Sequence, residues 1–225
     1  MTTPVTIAVD GSQNVSGLFV APANARACYV LAHGAGAGMT HPFMDAVAKG
    51  AAQRDIATLR YQFPYMEHGS KRPDPPKVAQ AAVRAAVAQA ARLAPGIPLI
   101  AGGKSFGGRM SSQAQSAAPM PGVSGLLFFG FPLHPTAKPS IERAQHLAAI
   151  RVPMLFVQGT RDEMADVSLI ESTVGALGRH ARLHWIQDGD HSLKVPARSQ
   201  RSQAEVFEGM FDAIARWIEN LDETA

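Results

Sequence analysis

Ser105 stands in Gly103-Lys104-Ser105-Phe106-Gly107, a G-x-S-x-G pattern between the apolar run Pro98-Leu99-Ile100-Ala101 and a helix-compatible segment opening at Gly108-Arg109-Met110. In a strand–turn–helix setting this pattern is a nucleophile elbow, a strained turn that lifts a serine hydroxyl above the carboxyl edge of a sheet. The flanking positions must be glycine, because side chains there would collide with the adjacent strand and helix. A serine so placed attacks carbonyl carbon, and it needs a base and an acid that orients the base. Both types follow along the chain. Asp162 ends Gln158-Gly159-Thr160-Arg161-Asp162, the loop after the run Pro153-Met154-Leu155-Phe156-Val157. His191 lies in Asp188-Gly189-Asp190-His191-Ser192, the loop after Ala181-Arg182-Leu183-His184-Trp185-Ile186. All three residues fall just past the carboxyl ends of predicted strands, where open α/β sheets bind ligands.

A fourth part is expected after the run Ala27-Cys28-Tyr29-Val30-Leu31-Ala32, where His33-Gly34-Ala35-Gly36-Ala37-Gly38 follows directly. Small residues let backbone N–H groups approach a developing oxyanion. The expected donors are the N–H groups of Ala35 and of Phe106, the latter at a helix N-terminus. His33 is read as a brace for this loop, and His184 as packing or surface. His41, Tyr65, Met66, Arg109 and His134 are candidate substrate contacts, with His68 on the same predicted rim. Lys104 and Arg109 flank the nucleophile and invite an anionic substrate; the alternative places Lys104 along the sheet edge and pairs Arg109 on its own helix. Glu163, Asp166 and Asp188 compete with Asp162 as the acid, but Asp162 is nearest the strand end.

Two other chemistries fail on spacing. Gly103-Lys104-Ser105 mimics the end of a P-loop, but the pattern needs glycine where Pro98 stands. The histidines lack H-x-x-x-H or comparable metal-ligand spacing. No metal and no cofactor are called for.

The elements that must position these residues follow from periodicity. Val5–Val9 and Val15–Val20 read as opening strands around the turn Asp10-Gly11-Ser12, and Ala57–Phe63 and Leu126–Phe129 as buried strands. Residues 42–54, 77–93 and 166–177 read as helices. Phe207, Met210, Phe211, Ile214, Trp217, Ile218 and Leu221 recur at three- and four-residue steps, the stripe of a final helix packed on the core. Strands alternating with helices imply a mostly parallel sheet covered on both faces. The irregular segments 65–76 and 131–140 follow predicted strands and are expected to rim the site. The stretch 131–152 is too short for a cap domain.

A chain of 225 residues, 46% hydrophobic and 17% charged, fits a single globular domain spanning residues 1–225. Its net charge of +3 comes from scattered lysines and arginines that form no tract, so nucleic-acid binding is not expected. The single cysteine, Cys28, allows no internal disulfide and is expected in the core. The first residues have no basic, apolar leader pattern, and no run reaches the roughly 18 apolar residues of a membrane span. A cytoplasmic protein without membrane contact is expected; oligomeric state is left open.

With these segments the chain resembles the small, cap-less, dienelactone-hydrolase-like branch of the α/β-hydrolases. More narrowly, it is similar to the family of testis-expressed protein 30 and the hydrolase-like domain of a nonspecific-lethal complex subunit. The resemblance rests on residues 33–44, Arg60-Tyr61-Gln62-Phe63-Pro64-Tyr65-Met66-Glu67, residues 102–109, Gly130-Phe131-Pro132-Leu133-His134-Pro135, Gly159-Thr160-Arg161-Asp162 and Gly189-Asp190-His191-Ser192. The chain order Ser105, Asp162, His191 is the order that fold uses. The resemblance implies a serine hydrolase with that triad. Dienelactone hydrolases themselves carry cysteine where this chain has Ser105, so their substrate does not transfer. The expected partner is a small-molecule acyl substrate (ester, thioester, lactone or small amide) cleaved through an acyl-enzyme on Ser105. The alternative is a binding or scaffold protein that keeps the fold with little turnover.

Overall fold

Short apolar runs bounded by turn residues become the strands of one eight-stranded sheet in this computed structural model, which describes residues 1–11 and 13–221. Ser12, expected in the first turn, lies outside the described residues. The elements in chain order are β1 (Thr2–Ala8), β2 (Asn14–Val20), β3 (Ala27–Ala32), α1 (Pro42–Ala52), β4 (Ile56–Tyr61), α2 (Pro64–Glu67) and α3 (Pro76–Leu93). They continue with β5 (Leu99–Lys104), α4 (Phe106–Ala117), β6 (Val123–Phe129), β7 (Met154–Gly159), α5 (Val167–Ala176), β8 (Ala181–Ile186) and α6 (Gln203–Glu219). Sheet order is β1-β2-β4-β3-β5-β6-β7-β8. β2 runs antiparallel to β1 and β4, and the strands from β4 to β8 are parallel. The mostly parallel α/β-hydrolase architecture expected from the sequence is the one observed.

Strand side chains alternate between two hydrophobic layers, as a pleated sheet covered on both faces requires. Val30, Leu59, Ala101, Phe128 and Phe156 pack beneath α3, α4 and α5. Their neighbours Leu31, Ile100, Phe129 and Val157 pack beneath α1 and α6. The stripe on α6 is the largest apolar face of the second layer, with Met210, Phe211, Ile214, Trp217 and Ile218 buried. A capping box, Ser202 with Glu205, starts that helix. Cys28 is buried in the first layer, and burial pushes its thiol up to about 12, so it is a core residue.

Five strand ends matter for the site. Gly103 pairs in register with Ala32, Lys104 with Phe129 and Gly159 with Ile186, so the carboxyl ends of β3, β5, β6, β7 and β8 end nearly level. Between β6 and β7 the chain holds only a loop and a 3-10 helix over Glu142–Ala149, with no cap domain. Among the described residues no helix is long and apolar enough to cross a membrane.

Candidate active site

The turn from β5 into α4 holds Ser105 at φ 49°, ψ −112°, a conformation that costs a non-glycine residue about 1–3 kcal/mol. Close packing of backbone on backbone maintains it. A Cβ at Gly103 would lie 2.1 Å from the Ala32 carbonyl oxygen, and one at Gly107 2.6 Å from the same atom. Glycine at both positions lets β3 pass beneath the turn, which is the physical content of the motif.

His191, on the loop leaving β8, places Nε2 2.9 Å from Ser105 Oγ. Its Nδ1 lies 2.9 Å and 2.8 Å from Asp162 Oδ1 and Oδ2. With Nδ1–H donating to the carboxylate, Nε2 is left to accept from the serine hydroxyl. Asp162 is itself fixed: Met164 N–H donates to Oδ1 at 2.8 Å and Gln158 Nε2 donates to Oδ2 at 2.5 Å. The Asp162 side chain has no solvent exposure, while that of His191 keeps 27%. Two of the three competing acids are committed elsewhere, and Glu163 is exposed. Asp166 caps α5 by accepting from Ser168 and Leu169 N–H, and Asp188 accepts from Ser199 Oγ.

The loop after β3 is braced as expected. His33 is fully buried, donating from Nδ1 to the Gly34 carbonyl at 2.8 Å and accepting the Phe63 N–H on Nε2 at 3.0 Å. Burial pushes it down to about 4, so it stays neutral. Gly36 N–H donates to Tyr65 Oη, whereas the N–H groups of Ala35 and Phe106 make no hydrogen bond among the described residues. Ala35 lies on the cavity beside Ser105.

That cavity is about 730 Å³ in volume. One wall is the β3–α1 connection and the start of α1, with Ala37, His41, Phe43 and Met44; the other is Met164 with Lys194, Gln203 and Phe207. Lys104, Ser105 and His191 lie on it as well. Among the described residues no aspartate or glutamate lines it. Among the described residues no group of three or more His, Cys, Asp or Glu side chains is arranged to hold a metal ion.

Of the five expected substrate contacts, only His41 reaches this cavity, where its Nδ1 also caps α1 by accepting the Phe43 N–H. Tyr65 is buried behind the β3–α1 loop, stacked near Phe63 and edge-on to His33 and Phe106. Met66 packs on the first core layer. His134 is buried, donating from Nδ1 to the Pro135 carbonyl and accepting the Asp166 N–H on Nε2. Arg109 sits half-buried on α4, away from the cavity, its pKa lowered by burial and then by Arg143.

The expected rim also differs. Segment 65–76 turns back onto β2 and α3: Glu67 accepts from the Ser16 N–H and hydroxyl, and Asp74 accepts the Tyr65 N–H. Segment 131–140 is drawn down onto β7 and the loop after it, with Phe131 N–H donating to Gln158 and His134 N–H to the Met164 carbonyl. Backbone groups that find such partners leave the rim to α1 and α6. The wall residues Met44, Met164 and Phe207 were missed as site residues. Phe207 looked like part of the α6 core stripe; its place at the open end of that stripe, nearest in sequence to His191, is the one local signal.

Residues 25–219 match the family described as "Alpha/beta hydrolase domain". The fold is similar to that of a dienelactone hydrolase from Anabaena variabilis, with TM-score 0.76 and 18% identity over 98% of each chain. It is also similar to a lidless serine hydrolase from Xanthomonas campestris, with TM-score 0.74 and 18% identity over 96% of this chain and 94% of that one. An esterase from Pyrococcus furiosus gives TM-score 0.76 and 13% identity over 98% and 91%. At these identities the likeness is one of fold; the family match over most of the chain carries the assignment. This chain belongs to the α/β-hydrolase domain family.

Proposed function

We propose that the protein is a serine hydrolase that cleaves small acyl esters through an acyl-enzyme on Ser105. The observation that carries this reading is the unbroken hydrogen-bonded line Ser105–His191–Asp162 at the wall of an open cavity. Family membership and the esterase and serine-hydrolase relatives of the same fold support it.

In this mechanism Ser105 Oγ attacks the ester carbonyl carbon while His191 Nε2 takes the hydroxyl proton. Asp162 keeps the imidazole in its Nδ1–H tautomer and stabilises the imidazolium. The carbonyl oxygen gains the electron pair and is held by the free N–H groups of Ala35 and Phe106, which need no reorganisation to meet it. Collapse of the tetrahedral species expels the alcohol, which takes its proton from His191. Water, deprotonated by the same imidazole, then attacks the acyl-enzyme; the bond to Ser105 Oγ breaks, Oγ takes the proton back from His191, and the carboxylic acid is released. The apolar wall of Phe43, Met44, Met164 and Phe207 suits a hydrocarbon acyl or alcohol group. Lys194, with no acidic residue on the lining among the described residues, favours neutral or anionic esters over cationic ones.

Fluorophosphonate labelling of wild type beside Ser105→Ala, with p-nitrophenyl acetate and butyrate turnover in parallel, tests the assignment. Labelling and turnover in the wild type, both lost in the variant, are expected. Folded wild type that neither labels nor turns over would sink it.

A further inference from the structure

The residue before the nucleophile does not face the substrate alone. Lys104 ends β5 on the side of the strand that carries Ile100, toward α1 and α6, and its Nζ donates to the backbone carbonyl of His191 at 2.5 Å. A Cβ built at Gly130 would lie 2.8 Å from Lys104 Nζ, 2.8 Å from the His191 carbonyl oxygen and 3.5 Å from Asp162 Oδ2. The ammonium, the carbonyl and the carboxylate therefore converge on one point beneath the loop, and only glycine at 130 leaves them room.

Residues 188–194 are tied mainly to β7, β8 and the second core layer: His191 Nδ1 bonds Asp162, Gly189 N–H donates to the Ile186 carbonyl and Leu193 is fully buried. Asp188 and Gly189 are held by Thr160 and Arg161 after β7, and the Leu193 carbonyl by Gln203 of α6. Asp190 closes the loop on itself by accepting the N–H groups of Ser192 and Lys194. Among the described residues, the side-chain hydrogen bonds of this loop with β5 and its elbow are Ser105–His191 and Lys104–His191. The first breaks and re-forms in every proposed turnover. The second does not.

We infer that Lys104 is a positioning residue for the base: its ammonium clamps the His191 carbonyl to the end of β5 and so holds Nε2 on Ser105 while protons move. The inference rests on the hydrolase reading for its consequence in rate, and on geometry alone for the clamp. A hydrogen bond from an ionised donor is among the stronger kinds, and burial pushes this lysine down to about 8 while Asp162 and Asp190 pull it up, so it is largely protonated at neutral pH. Displacing a reacting group by about 1 Å costs on the order of 10²-fold in rate.

Two variants break the clamp from opposite sides. Lys104→Met removes the donor, and Gly130→Ala pushes a methyl group between donor and acceptor. Each is expected to lower kcat about 10- to 100-fold with KM for p-nitrophenyl butyrate little changed. The low-field proton resonance of His191 Nδ1–H is expected to broaden or vanish in both. Wild-type kcat and an unchanged resonance in folded Lys104→Met would overturn the clamp. So would a raised KM at constant kcat, which would make Lys104 a substrate contact instead. If Lys104→Met does not fold, the same two readouts in Gly130→Ala decide. Wild type without turnover overturns the hydrolase reading, and the resonance still judges the clamp.

Discussion

Among the described residues, two serine–histidine pairs have nearly the same short contact. His191 Nε2 lies 2.9 Å from Ser105 Oγ, and His146 Nε2 lies 2.7 Å from Ser112 Oγ. Ser105 stands in a strained turn on a cavity, with a carboxylate behind its histidine. Ser112 lies within α4, fully buried, its hydroxyl also bonded to the Arg109 carbonyl. Among the described residues no carboxylate bonds His146; burial, and then the charge of Arg109, push it down to about 4. A serine–histidine contact is thus a common way to satisfy two polar groups. Access, an orienting acid and free N–H donors are what the proposed nucleophile has and Ser112 lacks.

The sharpest way to break the comparison is to delete each hydroxyl. Ser105→Ala is expected to cost about 10⁴ to 10⁶ in kcat and to abolish labelling. Ser112→Ala is expected to leave both unchanged and to cost about 1 kcal/mol of stability, the worth of one buried hydrogen bond. Equal losses in ester turnover would erase the distinction between the pairs. Next in size is the acid. Asp162→Asn keeps the shape but favours the wrong imidazole tautomer, and kcat should fall about 10⁴-fold with the circular dichroism spectrum retained.

Acid titration reports on the structural histidines. His33 and His146 are held near 4 in the folded protein, against 6.5 for an unperturbed imidazole. Their folded pKa values are depressed, so the unfolded chain binds protons first as pH falls. Stability is then full above about pH 6.5 and declines as pH falls toward 4. His33, fully buried, should account for about 2 kcal/mol of this by pH 5. Urea unfolding at pH 7 and pH 5 measures the drop, which should shrink in His33→Gln. The smallest effect concerns the cavity that only one pair possesses. Phe207→Ala lengthens it, and kcat/KM for a p-nitrophenyl octanoate over the butyrate should rise about tenfold. A chain-length profile identical to wild type would remove Phe207 from the wall.

Much of this was legible in residues alone. β3 and β8 occur over the residues expected, because uninterrupted apolar runs between turn residues have few other stable fates in an α/β chain. Tyr65, Met66, Arg109 and His134 were not legible in the same way. Each lies in or next to a segment that follows a strand, but their places depend on distant partners: Tyr65 on His33 and Phe106, and His134 on Asp166. Sequence position carries no record of which face of the sheet such a segment folds toward.

The sequence by itself determined the elbow, the order of Ser105, Asp162 and His191, and the strands whose ends carry them, since each depends on short-range sterics and local apolar periodicity. Only the tertiary structure decided that α1 and α6 wall the cavity, that Phe207, still packed on the second core layer, also lines it, and that Lys104 reaches the carbonyl of His191. Those outcomes depend on contacts between elements far apart in the chain, and side-chain reach across a sheet edge is settled only when all the strands have packed.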